Sequence, residues 1–223
     1  MPNILIVGAS RGLGLAMAAE FLKKGWEVMG TVRGARTKLH DLAKAHPGQV
    51  EIETLEINDQ RQIAALRDRL AGRMFDILFV NAGTANRDPN QAIGTVSTED
   101  FVHIMTTNAL GPMRVVEALE KNAKMIGVMS SGQGSVANNE TGLRELYRGS
   151  KAALNMFMRS FAARHAGRAM VLMAPGWVNT DLGGPQAPLT IEDSVPNLVN
   201  VLLAQQGKPG LQYLDYRGRV VPW

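Results

Sequence analysis

The sequence predicts an α/β fold in which a doubly wound parallel β-sheet carries helices on both faces. Three observations point there. Short apolar runs alternate with segments of helical period along the whole chain, the runs are apolar at consecutive positions, and no linker, repeat or low-complexity segment divides them. Continuous apolar runs fit strands buried on both faces, as in a parallel sheet sandwiched between helices. Residues 1–223 are therefore expected to form one domain without a separate substrate lobe.

The first strand is expected at Ile4–Val7, and Leu13, Met17, Phe21 and Leu22 give the following helix its buried stripe. Further strands are expected at Trp26–Val32, Val50–Ile57, Ile77–Val80, Met125–Met129 and Ala169–Met173, with a late one at Leu211–Tyr216. Each of these has strand length and is bounded by turn-forming residues. Ile63, Leu66 and Leu70 form a second helical stripe, and further helices are expected around Ser97–Asn122, Tyr147–Ala166 and Ile191–Gln205. A substrate loop is expected at about residues 181–195, where a short Gly- and Pro-containing lid suggests an open, permissive cleft. In such sheets ligands bind beyond the carboxyl ends of the strands, so residues there become the candidates.

Composition narrows the function. The chain has 223 residues, 45% hydrophobic and 20% charged, long enough to bury roughly 70% of its unfolded surface without a staple. Its lack of cysteine excludes disulfides, thiolate catalysis and iron–sulfur clusters, and fits a reducing compartment, so a cytoplasmic location is expected. No apolar run approaches the roughly 18 residues of a membrane span, and the opening Met1-Pro2-Asn3 lacks the pattern of a secretory signal. The net charge of +4 is spread along the chain, which argues against a nucleic-acid or membrane partner and suits an anionic small molecule. His40, His46, His103 and His165 lack metal-ligand spacing, so no metal is expected. The methionines look like core filler, with Met156 or Met158 as candidates for a subunit interface.

Directly after the first strand comes Gly8-Ala9-Ser10-Arg11-Gly12-Leu13-Gly14, opening a helix. Glycines let a backbone approach a pyrophosphate, and a helix N-terminus offers free N–H groups and the positive end of its dipole. The alternative is a glycine-rich turn without a ligand. Arg11 lies in this loop and Arg33 follows the second strand, where an acidic residue would hold the adenosine ribose of NAD. An arginine there can grip a phosphate, so two such cations favour NADP(H) over NAD(H), though NAD(H) remains possible. Singly, each arginine also fits a solvated surface position.

Six motifs in order resemble the short-chain dehydrogenase/reductase family over essentially the whole chain. They are the glycine loop, Asn81-Ala82-Gly83 after the fourth strand, and Asn108 in Thr107-Asn108-Ala109-Leu110-Gly111-Pro112. Ser130-Ser131 at the end of the fifth strand, Tyr147-Arg148-Gly149-Ser150-Lys151, and Pro175-Gly176-Trp177-Val178-Asn179-Thr180 complete the set. The longer matches Tyr147–Asn155 and Gly176–Gly184, with the tail Val221-Pro222-Trp223, are similar to the small carbonyl reductases of the C-factor/Sniffer-like branch. The resemblance implies a Rossmann-type dinucleotide-binding fold, a homodimer or homotetramer, and a carbonyl or alcohol substrate. It further implies that Asn81 braces the sheet near the adenosine ribose and that Asn108 holds a water joined to Lys151. Pro175, Gly176, Val178 and Thr180 would then close over the nicotinamide, with Thr180 bonding its carboxamide. Glu56 stands where the family often has an aspartate near the adenine.

The chemistry of the Tyr–Lys pair also follows from its residues. Tyr147 and Lys151 share a helix face, and a nearby ammonium would draw the phenol's pKa from near 10 towards working pH. Tyr147 would then protonate a carbonyl oxygen as hydride arrives at carbon, or accept the proton in reverse. Ser131 would donate to the same oxygen, with Ser130 and Ser135 as rivals, because Tyr147 follows Ser131 by sixteen positions, more than the family pattern suggests. The expected activity is NADP(H)-dependent reduction of a ketone, aldehyde or quinone. A nucleotide-binding signalling protein with incidental reductase activity is the alternative.

Overall fold

The computed structural model describes Met1–Trp223. Its strands are β1 (Asn3–Val7), β2 (Glu27–Val32), β3 (Val50–Thr54), β4 (Phe75–Val80), β5 (Ala123–Met129), β6 (Ala169–Ala174) and β7 (Gly210–Asp215). They align in the order β3-β2-β1-β4-β5-β6-β7, and every neighbouring pair is parallel. The helices are α1 (Gly12–Lys23), α2 (Lys38–Ala45), α3 (Gln60–Arg69), α4 (Thr98–Met105), α5 (Gly111–Leu119), α6 (Glu145–Arg164) and α7 (Ile191–Ala204). The chain reverses its winding direction at the β1–β4 junction, which opens a crevice at the carboxyl ends of these strands.

Alternate residues of each central strand feed opposite cores. Leu5 and Val7 of β1 face Ile63 and Leu66 of α3, Val115 and Val116 of α5, and Leu154 and Phe161 of α6. Ile4 and Ile6 face Met17 and Phe21 of α1, Leu39 of α2 and Leu198 and Leu202 of α7. The two clusters hold 27 and 24 buried residues, so neither face is left to solvent. That balance is why the strands read as unbroken apolar runs. No helix is long and apolar enough to cross a membrane.

The structure departs from expectation in four places. Strand β3 ends at Thr54 and is an edge strand, so its sequence Val-Glu-Ile-Glu-Thr alternates; Glu51 and Glu53 face Arg73 and Arg69 at 2.7 and 2.8 Å. Helix α2 has no counterpart among the expected elements, because its apolar stripe is only Leu39 and Leu42. The helix expected over Ser97–Asn122 divides into α4, a π-helical turn at Thr106–Leu110, α5 and a short 3₁₀ segment. Pro112 lacks the N–H that would close a regular turn there, and the Gly111 N–H donates to the Thr106 carbonyl, five residues back. Finally, of the loop expected at about residues 181–195, the part beyond Thr190 belongs to the helix expected from Ile191. The Thr190 hydroxyl accepts from the Asp193 N–H at 3.1 Å and starts α7 at Ile191.

Candidate active site

The glycine loop sits at the carboxyl end of β1, beside the end of β4. A Cβ on Gly8 would lie 2.9 Å from the Ala82 backbone, and one on Gly14 would overlap the Gly8 carbonyl oxygen. Gly8 also has φ +90°, so both positions need glycine. Asn81 Nδ2 donates to the Gly8 carbonyl at 2.8 Å, which locks Asn81-Ala82-Gly83 against the loop. Ser10 and Leu13 are half-buried, and Gly12 opens α1. Arg11 precedes α1 in extended backbone and its side chain caps nothing, so the first-turn N–H groups stay free to receive an anion. A dinucleotide pyrophosphate fits this cradle: its walls are backbone, its charge complement is the helix end, and no side chain fills it.

Each of the two expected cations is paired with a carboxylate. Arg11 pairs with Asp181 at 3.0 Å across to the loop after β6, and Arg33 pairs with Glu56 at 3.3 Å. Both guanidinium groups are 69% exposed, so each pair is weakly held and open to exchange for a stronger anion. Glu56 also accepts from the Asn58 N–H at 3.2 Å, so its longer side chain turns back on the strand end.

The proposed reacting residues gather at the ends of β4 and β5. Asn108 is fully buried in the π-helical turn. Its Oδ1 accepts from the Thr84 N–H at 2.8 Å, while its Nδ2 donates to the Thr84 carbonyl at 2.8 Å and to Ser150 Oγ at 3.0 Å. Ser150 in turn donates to the Tyr147 carbonyl at 2.7 Å. The turn therefore fastens α6 to the end of β4 one residue before Lys151. Lys151 Nζ donates to the Met129 carbonyl at 3.1 Å and lies 5.9 Å from the centre of the Tyr147 ring.

Hydrogen bonding separates the three serines. Ser130 is buried and donates to Asn155 Oδ1 at 2.6 Å. Ser135 is buried and accepts from the Asn138 N–H at 3.1 Å. Ser131 is half-exposed, its Oγ accepts from the Gln133 N–H at 3.2 Å, and it opposes the rise of the Tyr147 phenol's pKa. The 138–142 stretch lies outside any helix or strand and absorbs the long spacing as loop.

The electrostatics differ from expectation. Burial pushes the Tyr147 phenol up from its ordinary value, opposed by hydrogen bonding to Ser131 and the charge of Arg144. Burial pulls Lys151 down to about 8. Lys151 is thus a desolvated amine that holds its proton less tightly than in water but is still charged at neutral pH.

Beyond β6, Pro175 is buried and its carbonyl accepts from Ser194 Oγ at 2.7 Å. Gly176 turns the chain at φ +82°. Buried Val178 bridges Leu189, and Thr180 Oγ1 accepts from the Gly183 N–H at 3.1 Å. Three residues escaped the sequence reading. Thr84 completes the grip on Asn108, Tyr213 of β7 donates through its hydroxyl to the Ser131 carbonyl, and the charge of Arg144 acts on Tyr147. Tyr213 carried no motif signal, whereas Thr84 directly follows Asn81-Ala82-Gly83 and its place was a usable hint.

A parallel sheet switching direction at a glycine loop, with Tyr147, Lys151 and Asn108 fastened beside it, puts the chain among nucleotide-dependent oxidoreductases. Residues 2–188 match the short chain dehydrogenase family, to which the chain belongs. A short-chain dehydrogenase/reductase from Burkholderia multivorans, crystallised with bound NADP, is 67% identical. It superposes with a TM-score of 0.98 over 100% of this chain and 99% of its own. The carbonyl reductase Sniffer of D. melanogaster is 27% identical, with a TM-score of 0.89 and full coverage of both chains. C-signal from Myxococcus xanthus is 39% identical over 155 residues, 66% of this chain and 92% of its own.

Proposed function

We propose that the protein is an NADP(H)-dependent carbonyl reductase. The single observation that carries the proposal is the convergence of half-exposed Ser131, Tyr147 and buried Lys151 beside a cradle shaped for a pyrophosphate. NADPH, when bound, supplies hydride to the carbonyl carbon. Tyr147, kept as a neutral phenol by burial, donates the proton to the carbonyl oxygen, and Ser131 holds that oxygen in place. Asn108 and Ser150 position α6, and Lys151 faces the nicotinamide ribose. Pro175, Gly176, Val178 and Thr180 line the segment that closes over the nicotinamide. Arg11 and Arg33 exchange Asp181 and Glu56 for the adenosine 2′-phosphate, a stronger, doubly charged acceptor. The NADP-bound Burkholderia relative supports that choice, with NAD(H) as the weaker cofactor.

The test is loss of reduced-nicotinamide absorbance with NADPH, then NADH, against a panel of ketones, aldehydes and quinones. NADPH-selective turnover is expected; NADH-selective turnover or none would overturn the proposal. Replacing Arg33→Asp, with Arg11→Ala if needed, should shift the NADPH/NADH ratio of kcat/KM towards NADH by about 10- to 100-fold, the worth of a charge-assisted contact.

The likeness to C-signal favours a second reading, a nucleotide-binding signalling protein whose reductase activity is incidental. Tight NADPH binding without turnover on any compound would select it. We further infer a homodimer or homotetramer. Exposed Phe101 and Val102 of α4, Leu110, and Met156 and Phe157 of α6 form an apolar set on neighbouring helices. Met158, the other methionine considered for an interface, is fully buried. A cysteine-free chain fits the cytoplasm, and the proposed location follows from that composition.

A further inference from the structure

Arg144 is the only non-glycine residue with positive φ, at +61°, and it immediately precedes α6, where extended backbone is the rule. Such outliers cluster where a side chain must be presented in a particular direction. Both flanks of Arg144 are tied down. Arg148 Nε donates to the Leu143 carbonyl at 2.6 Å and Arg148 Nη2 to Thr141 Oγ1 at 3.0 Å. On the other side Glu145 Oε2 accepts from the Ile93 N–H at 2.9 Å. Arg144 itself is half-buried, and its guanidinium forms no ion pair or hydrogen bond within the chain.

What it does meet is Trp177. The guanidinium lies 5.7 Å from the centre of the Trp177 ring, and the indole N–H donates to the Gly183 carbonyl at 2.7 Å. Trp177 remains 46% exposed, and Leu143 and Leu182, on the two segments that carry the pair, are also exposed. Arg144 stands three residues before Tyr147, and its charge acts on the Tyr147 phenol. A planar cation with five unsatisfied donors is therefore held over an aromatic face, within electrostatic reach of the residue that is to protonate the carbonyl oxygen. Carboxylates match that fork in bidentate fashion.

We propose that Arg144 and Trp177 form the recognition site for a carboxylate on the substrate, which makes the preferred substrate a keto acid. Its acidic group lies a few bonds from the reacting carbonyl, and its apolar body lies against Trp177. The proposal rests on the reductase reading of the same site and names its substrate class.

The test compares 4-oxo-4-phenylbutanoate with its methyl ester, using NADPH, in the wild-type protein and in Arg144→Asn and Arg144→Lys. Asparagine tolerates the left-handed backbone, so the first variant removes charge without demanding a refolded turn. The quantity read is the acid-over-ester ratio of kcat/KM, which cancels any effect of Arg144 on Tyr147 common to both compounds. The ratio should be about 10 or more in the wild type, fall to about 1 in Arg144→Asn, and recover in part in Arg144→Lys. Calorimetric binding of the acid to the NADPH complex should weaken by the same factor. A wild-type ratio near 1, or one unchanged in Arg144→Asn, overturns the proposal while ester turnover keeps the reductase reading. If neither compound is reduced, Arg144-dependent binding of the acid upholds the recognition site and defeats the reductase reading. Binding that ignores Arg144 then defeats both.

Discussion

Tyr147 and Lys151 show how burial divides labour between two side chains four residues apart. Tyr147→Phe keeps every apolar contact and loses only the hydroxyl. It should bind NADPH normally, by calorimetry, while turnover falls by about 10²- to 10⁴-fold, the usual worth of a placed proton donor. Undiminished turnover would remove Tyr147 from the chemistry. Lys151 makes a prediction about stability. Its pKa is about 8 folded against 10.5 as the ordinary value. Below pH 8 it is charged in both states, and the fold bears the full cost of a buried ammonium, ~3 kcal/mol at most. Between pH 8 and 10.5 only the unfolded chain keeps the proton, so stability from this group rises with pH. Lys151→Met should accordingly unfold at higher denaturant than the wild type at pH 7, and the gap should close towards pH 10.5. A gap independent of pH would show that the amine is not desolvated. The motif residues were legible one by one because each carries its chemistry in its type. The choice of Ser131 over Ser130 and Ser135 was less legible, since the three differ mainly in what surrounds them.

At the scale of elements, the expectations succeeded where periodicity was long. The stripes of α1, α3 and α7 and the runs of the central strands have enough apolar positions to declare a period. Helix α2 has two, and its Thr37 N–H is satisfied by His40 Nδ1 at 3.1 Å, a local contact that leaves no stripe. The π-helical turn was illegible for a different reason. Its cause, Pro112, looks from sequence like an ordinary first-turn proline, and only the grip of Thr84 and Ser150 on Asn108 reveals why the wider turn is kept there. The start of α7 carries a prediction. Thr190→Ala removes the hydroxyl that caps Asp193 and should cost about 1 kcal/mol, lowering Tm by roughly 2–4 °C in a chain this size. Calorimetry would check it, and an unchanged Tm would mean that the Asp193 carboxylate, bonded to the Thr190 N–H at 2.9 Å, suffices alone.

For the whole molecule, two cores of nearly equal size cover both sheet faces but leave Phe101, Leu110, Met156 and Phe157 outside. If these cover one another between subunits, Phe157→Glu should convert the oligomer to a monomer by light scattering, with secondary structure unchanged. An oligomer that persists would move the interface elsewhere. The strand order has a different consequence, one of timing. β1 is made first yet lies in the middle of the sheet, paired with β2 on one side and β4 on the other. As the chain leaves the ribosome, the β1–β2 pair can form once residue 32 has emerged. The other edge of β1, an unbroken run of Ile4, Leu5, Ile6 and Val7, then waits until residue 80 is free. An open apolar edge of that kind invites pairing with other chains. The interval between the emergence of β2 and β4 is therefore when a nascent chain most needs a chaperone or a slow concentration of neighbours.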